Sequence, residues 1–183
     1  MALILASGSP RRKELMGLIS KDYTVRVSDV EENVPAGLTP AETVEYLARL
    51  KGWAVAVDCP DDTVVAADTV VAIDGKILGK PKDDADAANM LRSLSGRTHA
   101  VYTGVYICGH GRETLFHECT EVEFYPLTEE EIAAYVATGE PSDKAGAYGI
   151  QGYGGLLIKG IVGDYYNVVG FPVAAVSRAL RLF

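Results

Sequence analysis

Cysteine is scarce. Cys59, Cys108 and Cys119 are the only three, widely spaced and odd in number, which speaks against a disulfide framework and offers no zinc-ligand spacing. His99, His110 and His117 have neither a partner four residues away nor a neighbouring cysteine cluster, so they build no metal site by themselves. No Gly-x-Ser-x-Gly elbow supports a serine hydrolase, and no Gly-Lys-Ser/Thr completes a Walker A loop. No apolar run approaches the length of a membrane span. The opening Met1-Ala2-Leu3-Ile4 lacks the basic region and small-residue cleavage site of a secretory signal, so a cytoplasmic location is expected. Positive charge is also short, with 17 Lys and Arg against 25 Asp and Glu for a net charge of −8. That balance disfavours binding to a nucleic-acid polymer, which needs a broad basic face, whereas a compact phosphate ligand needs only a local basic island.

What is present is an ordinary globular composition, 48% hydrophobic and 23% charged over 183 residues. The length suits one domain spanning residues 1–183, or two closely packed lobes, without internal repeat or long linker. The basic island is Arg11-Arg12-Lys13, and it follows Ala6-Ser7-Gly8-Ser9-Pro10. An apolar run from Ala2 to Ala6 reads as a strand. Ser9 is a good helix N-cap, and Pro10 suits the first helical position because its fixed φ and missing N–H cost nothing there. A helix N-terminus presents unpaired N–H groups and a positive dipole end, a natural seat for an anion. Gly8 admits close backbone approach, Ser7 and Ser9 add hydroxyls, and Arg11 and Arg12 add planar forks that match phosphate oxygens. Three cations at the end of a helix that disfavours them are a local conflict, and a phosphate-binding loop explains it better than a solvated first turn.

Further along, Tyr23 to Ser28 reads as a second strand, followed by an acidic loop through Asn33. Thr39, Pro40 and Glu42 form a capping box for a helix to about Val57, with Val44, Leu47, Leu50 and Ala54 as its buried stripe. Thr63 to Ile73 is nearly continuously apolar and reads as a central strand. Asp74-Gly75 turns it into Lys76 to Leu78. Asp83 caps a helix to about Leu94. Thr98 to Cys108 and Thr114 to Tyr125 read as two long antiparallel strands, and Thr128 with Glu131 caps a short helix to about Thr138. The glycine-rich stretch Ala145 to Gly155 interleaves tyrosines and apolar residues, which favours an ordered loop near a ligand over low complexity. Leu156 to Val162 reads as a strand, and Pro172 begins a last helix carrying Val176, Leu180 and Leu182.

Asp68 is the strongest catalytic candidate, since a lone carboxylate inside an apolar strand needs a cation, a metal or hydrogen bonds. Glu31 and Glu32 offer hard oxygens suited to Mg²⁺ or Mn²⁺. Lys80, before Pro81, is a point charge for phosphate, while Lys51 is weaker on its own because a helix lysine normally faces solvent.

Together these segments resemble the Maf-type nucleotide pyrophosphatases, in which stretches like Ala6 to Arg12, Ala66 to Val71, Gly79-Lys80-Pro81, Leu94 to His99 and Asp143 to Gly152 stand in the same order. The resemblance covers essentially the whole chain. It implies an elongated α/β fold of the inosine-triphosphate-pyrophosphatase type, with a mixed β-sheet, flanking helices and two lobes around a deep cleft. It also implies hydrolysis of a nucleoside triphosphate to the monophosphate and pyrophosphate with a divalent metal cation. By position, Asp68 takes the general-base role, Ser7, Arg11, Arg12, Lys51 and Lys80 line the triphosphate, and Glu31 helps hold the metal.

Members acting on dTTP and UTP share Arg11, Thr69 and Gln151, whereas those preferring 7-methyl-GTP usually carry Gln after the aspartate and Glu in the later segment. The resemblance thus points to dTTP, UTP and modified pyrimidine nucleotides as candidate substrates. An amide at Gln151 also offers a donor and an acceptor to a pyrimidine edge. A homodimer is compatible with the resemblance, though no stretch marks an interface. The competing reading is a nucleotide-binding regulatory protein linked to cell division, without relevant turnover. Asp68 argues against it, because a binding module has little reason to set an anion beside a triphosphate unless that anion holds a metal.

Overall fold

The computed structural model describes residues 2–183. Its framework is a seven-stranded mixed sheet in the order β2-β1-β3-β5-β6-β7, with β4 paired to β3. The strands are β1 (Leu3–Leu5), β2 (Thr24–Val25), β3 (Thr63–Ile73), β4 (Lys76–Leu78), β5 (Thr98–Gly109), β6 (Arg112–Phe124) and β7 (Ile158–Val162). The helices are α1 (Pro10–Ile19), α2 (Pro40–Ala56), α3 (Asp84–Leu94), α4 (Glu129–Ala137), α5 (Tyr165–Val169) and α6 (Val173–Ala179). The chain divides into two compact units. The first is Met1–Thr69, Thr103–Glu118 and Gly170–Phe183, and the second is Val70–Tyr102 and Cys119–Val169.

In the first unit β1 pairs in parallel with both β2 and β3, placing Leu5 opposite Val25 and Val65. Parallel neighbours require crossovers, which α1 and α2 supply. The chain therefore moves to one side of β1 through α1 and returns to its other side through α2. The carboxyl end of β1 is where the connections diverge, and such a switch point leaves room for a ligand.

Local sequence sets the helix starts. Ser9 caps α1 ahead of Pro10, and Thr39 and Glu42 form a reciprocal capping box at α2. The buried face of α2 is Thr43, Val44, Leu47, Ala48, Gly52 and Val55. The expected Leu50 and Ala54 are only half-buried. The stripe is displaced because small residues let the helix lie close to the sheet. A Cβ on Gly52 would stand 2.5 Å from the Tyr106 ring and 3.0 Å from Ala66 Cβ. A Cβ on Gly104 would collide with the Val44 backbone. Ile4, Ala48, Val55, Val64, Ala66 and Tyr106 join in one core cluster, so this face of β3 looks toward α2.

The second unit packs Ala87, Leu91 and Leu94 of α3 and Ile132 and Tyr135 of α4 against Val71, Ile73, Val101, Val122 and Phe124 of the strands. At the Asp74-Gly75 turn both residues have positive φ, 51° and 73°, as the tight hairpin into β4 demands.

Several expected boundaries move. β2 shrinks to Thr24–Val25, both exposed at the sheet edge, where partners on one side alone hold the strand. β7 starts at Ile158, because Gly152–Leu157 coils as a 3-10 turn instead of extending. Sequence pattern does not reveal α5, whose aromatic and β-branched residues disfavour a helix. Tertiary bonds hold it, since Asn167 Nδ2 donates to the Val101 carbonyl and to Thr120 Oγ1, both at 2.9 Å. Of the last helix's expected stripe, Val176 is buried, while Leu182 lies beyond the helix and is exposed.

Candidate active site

Strand alternation explains the first unit's charge cluster. Val64 and Ala66 face α2, so Asp68, two residues on, lies on the same side of β3. Lys51 immediately precedes the closely packed Gly52 on α2. Its Nζ lies 2.6 Å from Asp68 Oδ1 and 3.0 Å from Glu32 Oε2. The Lys51 and Asp68 side chains are only 15% and 13% exposed, against 51% for Glu32. The cation that a carboxylate in an apolar strand requires is thus Lys51, the residue whose place on a helix gave it least weight. Two carboxylates converge on one ammonium.

Thr69 lies on the other side of the strand and meets the loop and first turn of α1. Arg12 Nη2 donates to Thr69 Oγ1 at 3.0 Å, Nε donates to the Gly170 carbonyl at 2.8 Å, and Nη1 reaches Ser7 Oγ at 3.5 Å. Thr69 Oγ1 also shares a 2.9 Å bond with the buried Thr103 hydroxyl. Burial lowers the Arg12 pKa below the usual guanidinium value, and the nearby Asp68 and Glu32 carboxylates oppose that shift. Arg12 therefore fastens the loop to β3 and to the segment before α6. Ser7 is buried and accepts bonds from the Ser9 N–H and Arg12, which leaves its own O–H to donate. Ser9 Oγ accepts the Arg12 N–H at 3.5 Å, and Arg11 stands half-buried on the first turn.

Of the expected residues, Ser7, Arg11, Arg12, Lys51, Asp68 and Thr69 all belong to this unit. Glu31 is exposed and has no side-chain ion pair among the described residues; its neighbour Glu32 holds Lys51. Lys80 and Gln151 belong to the second unit and are exposed. Their segments are tied there by the Gly146 N–H, which donates to the Gly79 carbonyl at 3.0 Å. Thr103 and Gly170 escape sequence reading, since a threonine in a strand and a glycine before Phe171-Pro172 carry no distinctive pattern.

Among the described residues, no group of three or more His, Cys, Asp or Glu could hold a metal by itself. Asp68 and Glu32, gathered around the Lys51 ammonium, are hard-oxygen donors of the kind that could hold a divalent cation.

The family model described as Maf-like protein matches residues 2–183. The chain belongs to the Maf-like family. A dTTP/UTP pyrophosphatase of Bacillus velezensis is 54% identical over 181 residues, covering 99% of this Maf-like chain and 96% of the relative. One from Bacillus cytotoxicus is 53% identical over 180 residues, covering 98% and 94%. The Staphylococcus aureus Ham1 protein shares the fold with a TM-score of 0.52 and 23% identity, over 68% of this chain and 72% of that one. The mixed sheet with flanking helices agrees with the fold that the motifs imply. No helix among the described residues is long and apolar enough to cross a membrane.

Proposed function

We propose that this chain is a nucleoside triphosphate pyrophosphatase that hydrolyses dTTP and UTP, with modified pyrimidine nucleotides as further candidates, to the monophosphate and pyrophosphate. The observation that carries the reading is Asp68, a carboxylate paired with Lys51 in the same unit as the Ser9-capped N-terminus of α1. Relatives at 51% to 54% identity over 99% of the chain bear the name dTTP/UTP pyrophosphatase.

In this reading the α1 N-terminus, the Ser7 hydroxyl, Arg11 and Arg12 bind phosphate oxygens, and Arg12 also keeps the loop in register. Asp68 orients a water and takes its proton as the oxygen attacks the α-phosphorus. The bond from the α-phosphorus to the bridging oxygen breaks, and the electron pair leaves with pyrophosphate. Lys51 and Lys80 balance the charge that develops on the leaving group, so the reaction depends on positioning and electrostatics. Glu31, with its sequence neighbour Glu32 and with Asp68, would hold Mg²⁺ or Mn²⁺. A bound ion supplies neutralisation of phosphate charge. Thr69 and Gln151 are assigned to specificity, Gln151 by an amide that matches a pyrimidine edge.

The test is pyrophosphate release with Mg²⁺ or Mn²⁺ from dTTP, UTP, CTP, ATP, GTP and 7-methyl-GTP, for the wild type and Asp68→Asn. Selective turnover of dTTP and UTP, reduced about 10²- to 10⁴-fold in the variant with little change in binding, is the expected result. Binding without turnover of any nucleotide would instead make the protein a regulatory binder. Near-normal turnover by Asp68→Asn would remove Asp68 from the base role.

A further inference from the structure

The glycine-rich segment that carries Gln151 is held by one carboxylate. Glu140 opens the 3-10 turn Glu140–Asp143 that follows α4. Its Oε1 accepts the Tyr135 hydroxyl at 3.0 Å and the Gly154 N–H at 3.1 Å, while Oε2 accepts the Tyr153 N–H at 3.0 Å. The Tyr135 hydroxyl in turn accepts the Gly149 N–H at 3.2 Å. Both flanks of Gln151, Gly149 before it and Tyr153-Gly154 after it, are therefore fastened to the same Tyr135–Glu140 pair.

Glu140 is itself fixed, because its carbonyl accepts from Lys144 Nζ at 2.7 Å and the same ammonium pairs with Asp143 at 2.7 Å. The fit is close. Gly152 has φ of +69°, and a Cβ there would stand 2.7 Å from Glu140 Oε2. Between these anchors Gln151 is exposed and makes no side-chain hydrogen bond among the described residues, so its amide is presented to solvent from a braced backbone.

The geometry points to Glu140 as a positioning residue for base selection, one that fixes how Gln151 is presented and thereby sets discrimination among nucleobases. This rests on Gln151 as the base-reading side chain. A carboxylate accepting two backbone N–H groups and a hydroxyl is suited to the task, since each bond is charge-assisted and directional.

Glu140→Gln tests it. The change keeps shape but replaces one acceptor oxygen by an NH₂ that cannot accept from a backbone N–H. The expected result is that KM for UTP and dTTP rises about tenfold and that the UTP-over-CTP ratio of kcat/KM falls about tenfold. Hydrolysis of ribose 5′-triphosphate, which has no base to read, should shift less than about twofold. In a Gln151→Ala background, Glu140→Gln should leave the UTP-over-CTP ratio where Gln151→Ala alone puts it.

An equal loss for UTP and ribose 5′-triphosphate would overturn the proposal, as would effects that simply add to those of Gln151→Ala. Should Glu140→Gln fail to fold, Tyr135→Phe removes one hydroxyl of the same brace, with the same outcomes expected at smaller size. If the wild type cleaves no nucleotide, the pyrophosphatase reading itself fails. If it does cleave and Gln151→Ala leaves the ratio unchanged, the base-reading assignment falls and this proposal with it.

Discussion

The two units assemble polar side chains in opposite ways. In the first, regular elements do the work: β3 presents Asp68 on one face and Thr69 on the other, α2 brings Lys51 to the former, and α1 brings Arg12 to the latter. In the second, short 3-10 turns and glycines place Gln151, and side chains such as Glu140 and Tyr135 take over the bonding that strands and helices perform elsewhere. The periodic arrangement suits a fixed charge constellation. The irregular one suits a contact whose exact reach must be set residue by residue. The first should therefore fail through lost charge and lost helix placement, and the second through lost loop geometry.

The largest expected effect that tests this contrast is at Lys51. Lys51→Met leaves Asp68 and Glu32 without the ammonium they share, and turnover of UTP should fall about 10²- to 10³-fold, measured by pyrophosphate release. A fall of less than about tenfold would mean that the ion pair is structural only.

The second unit offers a pH test. His99 is buried between Phe124 and Tyr148, with Nε2 sharing a 2.6 Å bond with the Tyr148 hydroxyl, and burial holds its pKa down at about 4. The unfolded chain, with histidine near about 6.5, binds the proton first. Stability from this site is therefore complete above that pH, declines as pH falls through the interval, and is flat below about 4. The full loss is of order 3 kcal/mol. His99→Gln should remove that component from the dependence of urea midpoints on pH, and an unchanged profile would place the acid sensitivity elsewhere.

A smaller effect is expected where α2 meets β5. Gly104→Ala forces a methyl against the Val44 backbone, and lifting the helix should cost about 1–3 kcal/mol. Because α2 carries Lys51, kcat should fall with stability in this variant. Activity that survives a clear loss in Tm would show that Lys51 follows Asp68 without the close helix seat. Smallest of all is the exposed pair of Arg92 and Glu129 in the second unit, at 2.7 Å. Arg92→Ala should lower Tm by a degree or two in dilute salt, with the difference disappearing at high salt.

Much of this was legible along the chain. Ser9-Pro10, Thr39 to Glu42 and Thr128 to Glu131 mark helix starts through bonds closed within four residues, and all three caps form. Asp68 stood out because an anion in an apolar strand demands a partner. Its partner was not legible, since Lys51 looks like any surface lysine until Gly52 lets α2 approach Ala66. Glu32 and Glu31 were indistinguishable as an acidic pair, and one carboxylate direction separated them. Helix α5 was hidden because its residues disfavour a helix locally and are held by Asn167.

The sequence by itself determined the order of the strands and of the helices other than α5, the helix caps, the Asp74-Gly75 hairpin turn, the small-residue loop that leads into α1 and the membership of a family whose motifs it carries in order. These depend on neighbours a few residues apart, where propensity, capping and alternation act directly. Only the tertiary structure decided that Asp68 and Glu32 converge on Lys51, that Arg12 ties the loop to Thr69 and Gly170, and that Glu140 braces the segment around Gln151. Those contacts join residues distant in sequence, and their distances are set by how closely glycines let backbones pack, a quantity no local pattern encodes.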